Sequence, residues 1–167
     1  MKKSAVSFKL NGRTVEVLAG AVQTLLDLLR DDMGLTSPKC GCNRGDCGTC
    51  TVILDGKAVK SCMVLALTLE GREVVTLDGI TPACGLHPVQ EAFYKLGAPQ
   101  CGYCTPGMVM AAVAYLDQNP NPTMDEVKNA LSGNLCRCAS YEKYTQAVLA
   151  AAKGEFGQMP KGVKCSV

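Results

Sequence analysis

The sequence has no long hydrophobic run and no strong excess of charge of either sign. Its longest apolar stretch, residues 108–116, is much shorter than the ~20 residues needed to span a bilayer. Basic residues number 17 and acidic residues 15, which gives a net charge of +2, and the basic residues form no cluster. We therefore expect no membrane span and no binding to nucleic acid.

Sequence motifs for nucleotide binding and for catalysis are also missing. The chain has no phosphate-binding loop and no G-x-G-x-x-G motif. Its single histidine, His87, precedes Pro88 at a predicted helix start, where we expect capping or packing rather than proton transfer or metal ligation. No cysteine has the partnering base that a nucleophile needs. The sequence thus predicts no catalytic residue and no substrate site.

Cysteine, in contrast, is abundant, with eleven residues in a chain of 167. An odd number fits a secreted disulfide framework poorly, and the first residues contain no apolar signal-peptide segment. We therefore predict a reducing, cytoplasmic setting in which the thiols bind metal.

A first set of cysteines has the spacing C-x4-C-x2-C-x11-C and consists of Cys42, Cys47, Cys50 and Cys62. Its first three members follow the spacing of plant-type [2Fe–2S] ferredoxins. Gly41, Gly45 and Gly48 are interleaved, and we expect them to let the loop curl tightly around a cluster. The alternative is a structural zinc site, but zinc sites with four cysteines usually pair two C-x2-C knuckles. The spacing therefore favours an iron–sulfur cluster.

A second set lies in the other half of the chain and consists of Cys101, Cys104, Cys136 and Cys138. The last two are two residues apart, so a continuous helix would point them to opposite sides, and we expect a helix end or turn there, which Gly133 would permit. The first two precede Thr105, the predicted N-cap of a helix whose positive end would favour a reduced, anionic cluster. Read alone, this spacing suits zinc as well as iron–sulfur, and we favour iron–sulfur.

Three cysteines remain outside both sets. Cys40 stands two residues before Cys42 and could compete for iron, but we expect a bystander because the first set already supplies four thiolates. Cys84 and Cys165 are predicted to be inert.

The patterning predicts an α+β fold with two domains. In the first half, strand-like apolar alternation before and after an Asn11-Gly12 turn predicts a hairpin, and a second hairpin is predicted at Asp55-Gly56. A helix is predicted from the Thr24 N-cap to Gly34, and a last strand at residues 74–77. This is the order of a β-grasp ferredoxin-like domain, which we assign to residues 1–79. Residues 80–167 are predicted to form a four-helix bundle-like domain with a C-terminal tail. Its helices are predicted at 89–96, from 105 to about 118, from a Thr123 and Glu126 capping box to near 133, and at 141–152.

Four stretches of the chain resemble the molybdenum hydroxylase family, which includes xanthine dehydrogenase, aldehyde oxidoreductase and aerobic carbon monoxide dehydrogenase. They are Q-C-G-Y-C-T-P-G-M at residues 100–108, G-N-L-C-R-C at 133–138, the first cysteine loop from Gly41 to Val52, and H-P-V-Q-E-A-F at 87–93. The resemblance covers about residues 5–150. It implies a small iron–sulfur subunit in which the β-grasp domain holds one [2Fe–2S] cluster and the helical domain holds the other.

The resemblance also implies partners and a route for electrons. A large molybdopterin-binding subunit and a medium FAD-binding subunit would complete a hetero-oligomer. Electrons from the molybdopterin site would reach the helical-domain cluster, then the ferredoxin-like cluster, and then the flavin. Gln100 and Cys138 match the positions that lie against the pterin in relatives.

One departure from the family pattern follows the last ligand. Relatives usually read Cys-Thr-Gly-Tyr, whereas this chain reads Cys138-Ala139-Ser140-Tyr141, so the local turn and one hydrogen bond are expected to differ.

Two other classes of function remain open at this point. One is a free-standing two-cluster ferredoxin-like carrier, against which the added helical domain and the near-neutral charge argue. The other is a zinc-stabilised interaction module.

Overall fold

The computed structural model describes residues 3–160, in which strands and helices both occur, as expected for a mixed fold. The strands are β1 (Lys3–Leu10), β2 (Arg13–Gly20), β3 (Thr51–Leu54), β4 (Lys57–Lys60) and β5 (Glu73–Val75). The helices are α1 (Leu25–Asp27), α2 (Leu77–Ile80), α3 (Pro88–Lys95), α4 (Thr105–Gln118), α5 (Met124–Leu131) and α6 (Tyr141–Ala152). A π-helical turn, Leu28–Asp32, extends α1, and 3-10 turns cover Ser61–Met63 and Ala66–Leu69.

The five strands form one mixed sheet in the order β2-β1-β5-β3-β4, in which β1 and β5 are parallel. Both predicted hairpins are confirmed. At the first turn Asn11 and Gly12 have φ of 50° and 79°, and at the second Asp55 and Gly56 have 48° and 77°. Two consecutive positive φ values are what a two-residue hairpin turn requires. The prediction of a strand through residue 77 was wrong, since β5 ends at Val75 and α2 begins at Leu77.

Helix caps explain most of the helix boundaries. The predicted capping box of Thr123 and Glu126 is present at the start of α5. The predicted N-cap of α1, Thr24, also forms a capping box, with Asp27. His87 is the N-cap of α3, where its Nδ1 accepts a hydrogen bond from the Val89 N–H at 3.2 Å. Burial lowers the pKa of His87 to about 4, which keeps the ring neutral and Nδ1 an acceptor.

The N-cap predicted for α4 was wrong by one residue. Cys104 occupies that position, and Thr105 is already helical. The Thr105 hydroxyl instead lies 2.9 Å from the Tyr144 hydroxyl on α6. The Thr105 side chain, which local sequence assigns to the helix cap, therefore forms a long-range hydrogen bond instead.

Strand β3 is buried along its whole length because it packs on two sides. Val52 and Leu54 belong to the core beneath the sheet, whereas Ile53 belongs to the core built by helices α3–α6. Helix α4 packs directly on β3. Met108 and Met110 of this helix are buried. The strand and helix that follow the two candidate cysteine loops are therefore in contact.

Within residues 3–160, no helix combines the length and the apolar composition that a membrane crossing requires. Cys165 and the end of the predicted C-terminal tail lie outside the described residues.

Candidate metal centres

The first cysteine set converges at the start of β3. Cys50 directly precedes the strand, and Cys62 lies in the 3-10 turn after β4. These two are buried, at 3% and 6% exposure, and pack together with Leu26 in one small buried cluster. Cys42 and Cys47 are half-buried in the preceding loop. The set thus divides into an inner pair and an outer pair.

The inner and outer thiols of this set differ in acidity when no metal is bound. Backbone N–H groups of Cys47 and Arg44 donate to the Cys42 thiol and lower its pKa to about 7, and the Cys47 N–H lies 3.4 Å from the sulfur. Burial, together with the neighbouring Cys50 thiol, raises the pKa of Cys62 to about 11. The outer thiol is therefore the one more readily ionised.

The glycines of this loop serve two different contacts. A Cβ on Gly41 would lie 2.9 Å from the Cys47 sulfur, so this glycine keeps the space beside a candidate ligand open. A Cβ on Gly48, whose φ is +69°, would lie 2.4 Å from the Gly133 carbonyl oxygen. Gly48 is therefore needed for the approach of the helical region as well as for the curl of the loop.

The second cysteine set repeats the same division. Cys104 caps α4 and Cys136 lies in the turn before α6, and both are buried. Cys101 is exposed and Cys138 is half-buried. Burial raises the pKa of Cys104 to about 11, whereas the Tyr103 N–H, followed by the Cys138 thiol, lowers the pKa of Cys101.

From the sequence we expected Gly133 to permit the turn that carries Cys136 and Cys138. The structure shows that the turn does not use this glycine. Its positive φ, +58°, belongs to Ala139, and Gly133 has no positive φ. The left-handed backbone conformation of this turn therefore lies directly after Cys138, at a position where the family pattern has threonine.

Two tyrosines of α6 contact the second set, and sequence reasoning missed both. The Tyr144 hydroxyl lies 3.5 Å from the Cys104 sulfur in a buried position, and burial raises the pKa of Tyr144. The Tyr141 hydroxyl accepts a hydrogen bond from the Cys136 N–H at 2.8 Å. Their helical spacing of three residues places both on one face of α6, which is the only sequence signal for them.

Gln100 lies beside the second set, where its side chain is fixed by two hydrogen bonds. Its Nε2 donates to the Cys138 carbonyl at 3.0 Å and to the Ser140 hydroxyl at 3.1 Å. Ser140 is one of the residues that depart from the family pattern, and its hydroxyl accepts one of these two hydrogen bonds.

The remaining candidates lie on the surface. Cys40 and Cys84 are exposed, and the Cys40 carbonyl accepts a hydrogen bond from the Tyr103 hydroxyl at 2.8 Å. Arg137, between two candidate ligands, is exposed as well.

The donor chemistry of the two sets fits binuclear iron–sulfur clusters. Within the described part of the chain, no three His, Cys, Asp or Glu side chains converge closely enough to ligate one metal ion. Each set instead has two buried cysteines and two more exposed ones. A [2Fe–2S] cluster takes four thiolates, two on each iron.

Comparisons with known proteins agree with this geometry. A 2Fe-2S iron-sulfur cluster binding domain model matches residues 8–89, and a [2Fe-2S] binding domain model matches residues 76–149. The small FeS subunit of nicotinate dehydrogenase from Eubacterium barkeri is 46% identical over 148 residues, covering 89% of this chain and 94% of that protein. The xanthine dehydrogenase iron-sulfur-binding subunit of Escherichia coli O157:H7 is 44% identical over 146 residues, covering 86% and 91%.

The fold is shared with a solved oxidoreductase. A chain in the crystal structure of quinoline 2-oxidoreductase from Pseudomonas putida 86 superposes with a TM-score of 0.88 at 38% identity, covering 92% of this chain and 96% of that one. This agreement confirms a ferredoxin-like fold. The chain therefore belongs to the family of small iron–sulfur subunits of the molybdenum hydroxylases.

Proposed function

We propose that this protein is the electron-transfer subunit of a molybdenum hydroxylase and that its paired thiols hold two [2Fe–2S] clusters. The observation that carries the proposal is that each cysteine set has two buried members, the inner pair, and two more exposed members, the outer pair. When bound, the clusters supply one-electron redox chemistry. The proposed ligands are Cys42, Cys47, Cys50 and Cys62 for one cluster and Cys101, Cys104, Cys136 and Cys138 for the other.

The contact between the two loops supports a relay. Strand β3 starts directly after Cys50 and α4 directly after Cys104, and these two elements pack on each other. In addition, the Leu135 N–H donates a hydrogen bond to the Cys47 carbonyl at 2.8 Å. One hydrogen bond and one peptide unit thus connect Cys47 with Cys136, a proposed ligand of the other cluster.

The partners are part of the proposal. We place the molybdopterin on a large subunit and FAD on a medium subunit, with electrons entering through the helical-domain cluster and leaving through the ferredoxin-like one. Gln100 and Cys138 would face the pterin. The free thiols of the described residues suit a reducing cytoplasm. The relatives are named for nicotinate and xanthine, so the substrate of the complex is set outside this chain.

We further propose the domain limits 1–79 and 80–167. The overlap of the two family models at residues 76–89 supports a limit in this region. Helix α2 spans the limit itself. Helices α3–α6 pack against one another around a common core, which supports their description as a four-helix bundle.

Replacing Gln100 with leucine tests the proposal that this residue faces the pterin. Because Gln100 is not a proposed ligand, iron content should stay unchanged, whereas electron transfer from molybdenum to the helical-domain cluster should slow. Losing the amide would cost about 1–3 kcal/mol through unpaired polar groups. Rapid-freeze EPR of the assembled complex measures the rate.

The matched control is Gln146→Leu, which changes an exposed glutamine on α6 whose amide bonds Glu142. It should leave both iron content and transfer rate as in the parent. A Gln100→Leu protein that keeps both clusters and passes electrons to the helical-domain cluster at the parent rate would contradict the role proposed for Gln100.

Isolation of the native complex through a tag on this chain tests the function itself. We expect stoichiometric molybdenum and FAD in the purified material, carried by two further chains. A protein isolated alone, with both clusters and no molybdenum, would identify a free-standing carrier instead.

A further inference from the structure

The two cysteine loops touch through the side chain of a residue that is not a candidate ligand. Asn134 precedes Cys136 by two residues and is buried at 5% exposure. Its Nδ2 donates to the Gly48 carbonyl at 2.9 Å and lies 3.3 Å from the Thr51 hydroxyl. The carboxamide therefore reaches from the helical region into the loop that carries Cys47 and Cys50.

The receiving side of this contact is built around the Gly48 carbonyl. The same oxygen accepts hydrogen bonds from the Thr51 N–H at 3.0 Å and the Thr51 hydroxyl at 2.6 Å. Next to it, the Cys47 carbonyl accepts from the Leu135 N–H at 2.8 Å. Two consecutive residues, Asn134 and Leu135, thus donate to two consecutive carbonyls, which fixes both the separation and the orientation of the loops.

Close approach of the backbones is needed for this contact. A Cβ on Gly107 would lie 2.4 Å from the Gly48 carbonyl oxygen and 3.0 Å from the Asn134 Nδ2. The carboxamide therefore fills a site bounded by glycine on α4 and on the cluster loop. Polar groups buried this way are costly to leave unpaired, so the contact is held in one geometry.

We propose that Asn134 is a positioning residue whose carboxamide clamps the two cluster loops together and so sets the distance between the clusters. This inference rests on the proposed function, since it concerns the spacing of the two clusters assigned above. The separation of the two loops is expected to matter for the relay because electron tunnelling slows steeply with distance.

The test is Asn134→Asp, which preserves the shape of the side chain but replaces the donating amide with a carboxylate that only accepts. That carboxylate would face the Gly48 carbonyl, and the loops should separate. The matched control is Asn129→Asp, the same change at an exposed position on α5.

Two measurements report on the contact between the loops without depending on enzyme activity. The first is hydrogen exchange of the Leu135 amide, expected to be about tenfold faster or more in Asn134→Asp, the factor that losing one buried hydrogen bond gives. The second is the magnetic interaction between the two reduced clusters by EPR, expected to weaken. Asn129→Asp should match the parent in both. Unchanged exchange and unchanged magnetic interaction in Asn134→Asp would overturn the proposal.

The parent protein supplies a test that does not depend on how the variant folds. In the parent, the Leu135 amide should exchange far more slowly than the exposed amides around it, and fast exchange there would overturn the clamp. A parent that protects Leu135 but never binds two clusters would instead contradict the proposed function and leave the loop contact standing.

Discussion

A Cys136→Ser variant is expected to lose half of the bound iron and to keep the cluster on the loop of residues 42–62. Cys136 is buried at 5% exposure beside Cys104, which belongs to the same proposed ligand set. A serine hydroxyl is a poor replacement for a thiolate as an iron ligand. Iron and sulfide analysis, together with the EPR spectrum of the reduced protein, measures which cluster remains.

The reciprocal variant is Cys47→Ser, which should remove only the ferredoxin-like cluster. Cys84→Ala is the control, because Cys84 is exposed and belongs to neither set. Its iron content should equal that of the parent. A loss of cluster in Cys84→Ala, or the loss of both clusters in either serine variant, would show that the two ligand sets are assigned incorrectly.

Gly107→Ala is expected to destabilise the protein, although helix propensity alone favours alanine there by up to about 1 kcal/mol. The added Cβ would lie 2.4 Å from the Gly48 carbonyl oxygen, a backbone atom that is held by three donors. Forced overpacking of this kind costs about 1–3 kcal/mol. The midpoint of urea unfolding should therefore fall, and the sign of the shift separates the packing effect from the propensity effect.

Gly133→Ala is the matched control at the same junction. Nothing lies within 4 Å of a Cβ at this position, and the residue has no positive φ. Its unfolding midpoint should stay close to that of the parent. If Gly107→Ala raised the midpoint instead, the close approach of α4 to the cluster loop would be absent from the folded protein.

Features determined by neighbouring residues could be predicted from sequence. The Asn11-Gly12 and Asp55-Gly56 turns, the Thr24 N-cap, the Thr123 and Glu126 capping box, and helices α3 to α6 depend on local chemistry, and the structure contains all of them. The cysteine spacing likewise predicted two sets of four, and the C-x4-C-x2-C run of the first set is a local pattern.

Features determined by contacts across the chain could not be predicted. Thr105 was taken for the α4 cap because its bond to Tyr144 joins residues 39 apart. The contact of Asn134 with Gly48 joins residues 86 apart, and no local pattern indicates it. From the sequence, the glycine at position 48 was explained only by the tight curl of the loop around a cluster. A Cβ added there would also collide with the Gly133 carbonyl, a contact across the chain that no local pattern indicates.

Metal and sulfide analysis with EPR of the reduced protein tests the central claim most directly. Two binuclear clusters on the two matched domains predict four irons and four inorganic sulfides per chain. The reduced protein should give two distinguishable paramagnetic signals, because one site lies in a glycine-rich loop and the other at the start of α4. One zinc ion, or a single cubane cluster per chain, would contradict the account.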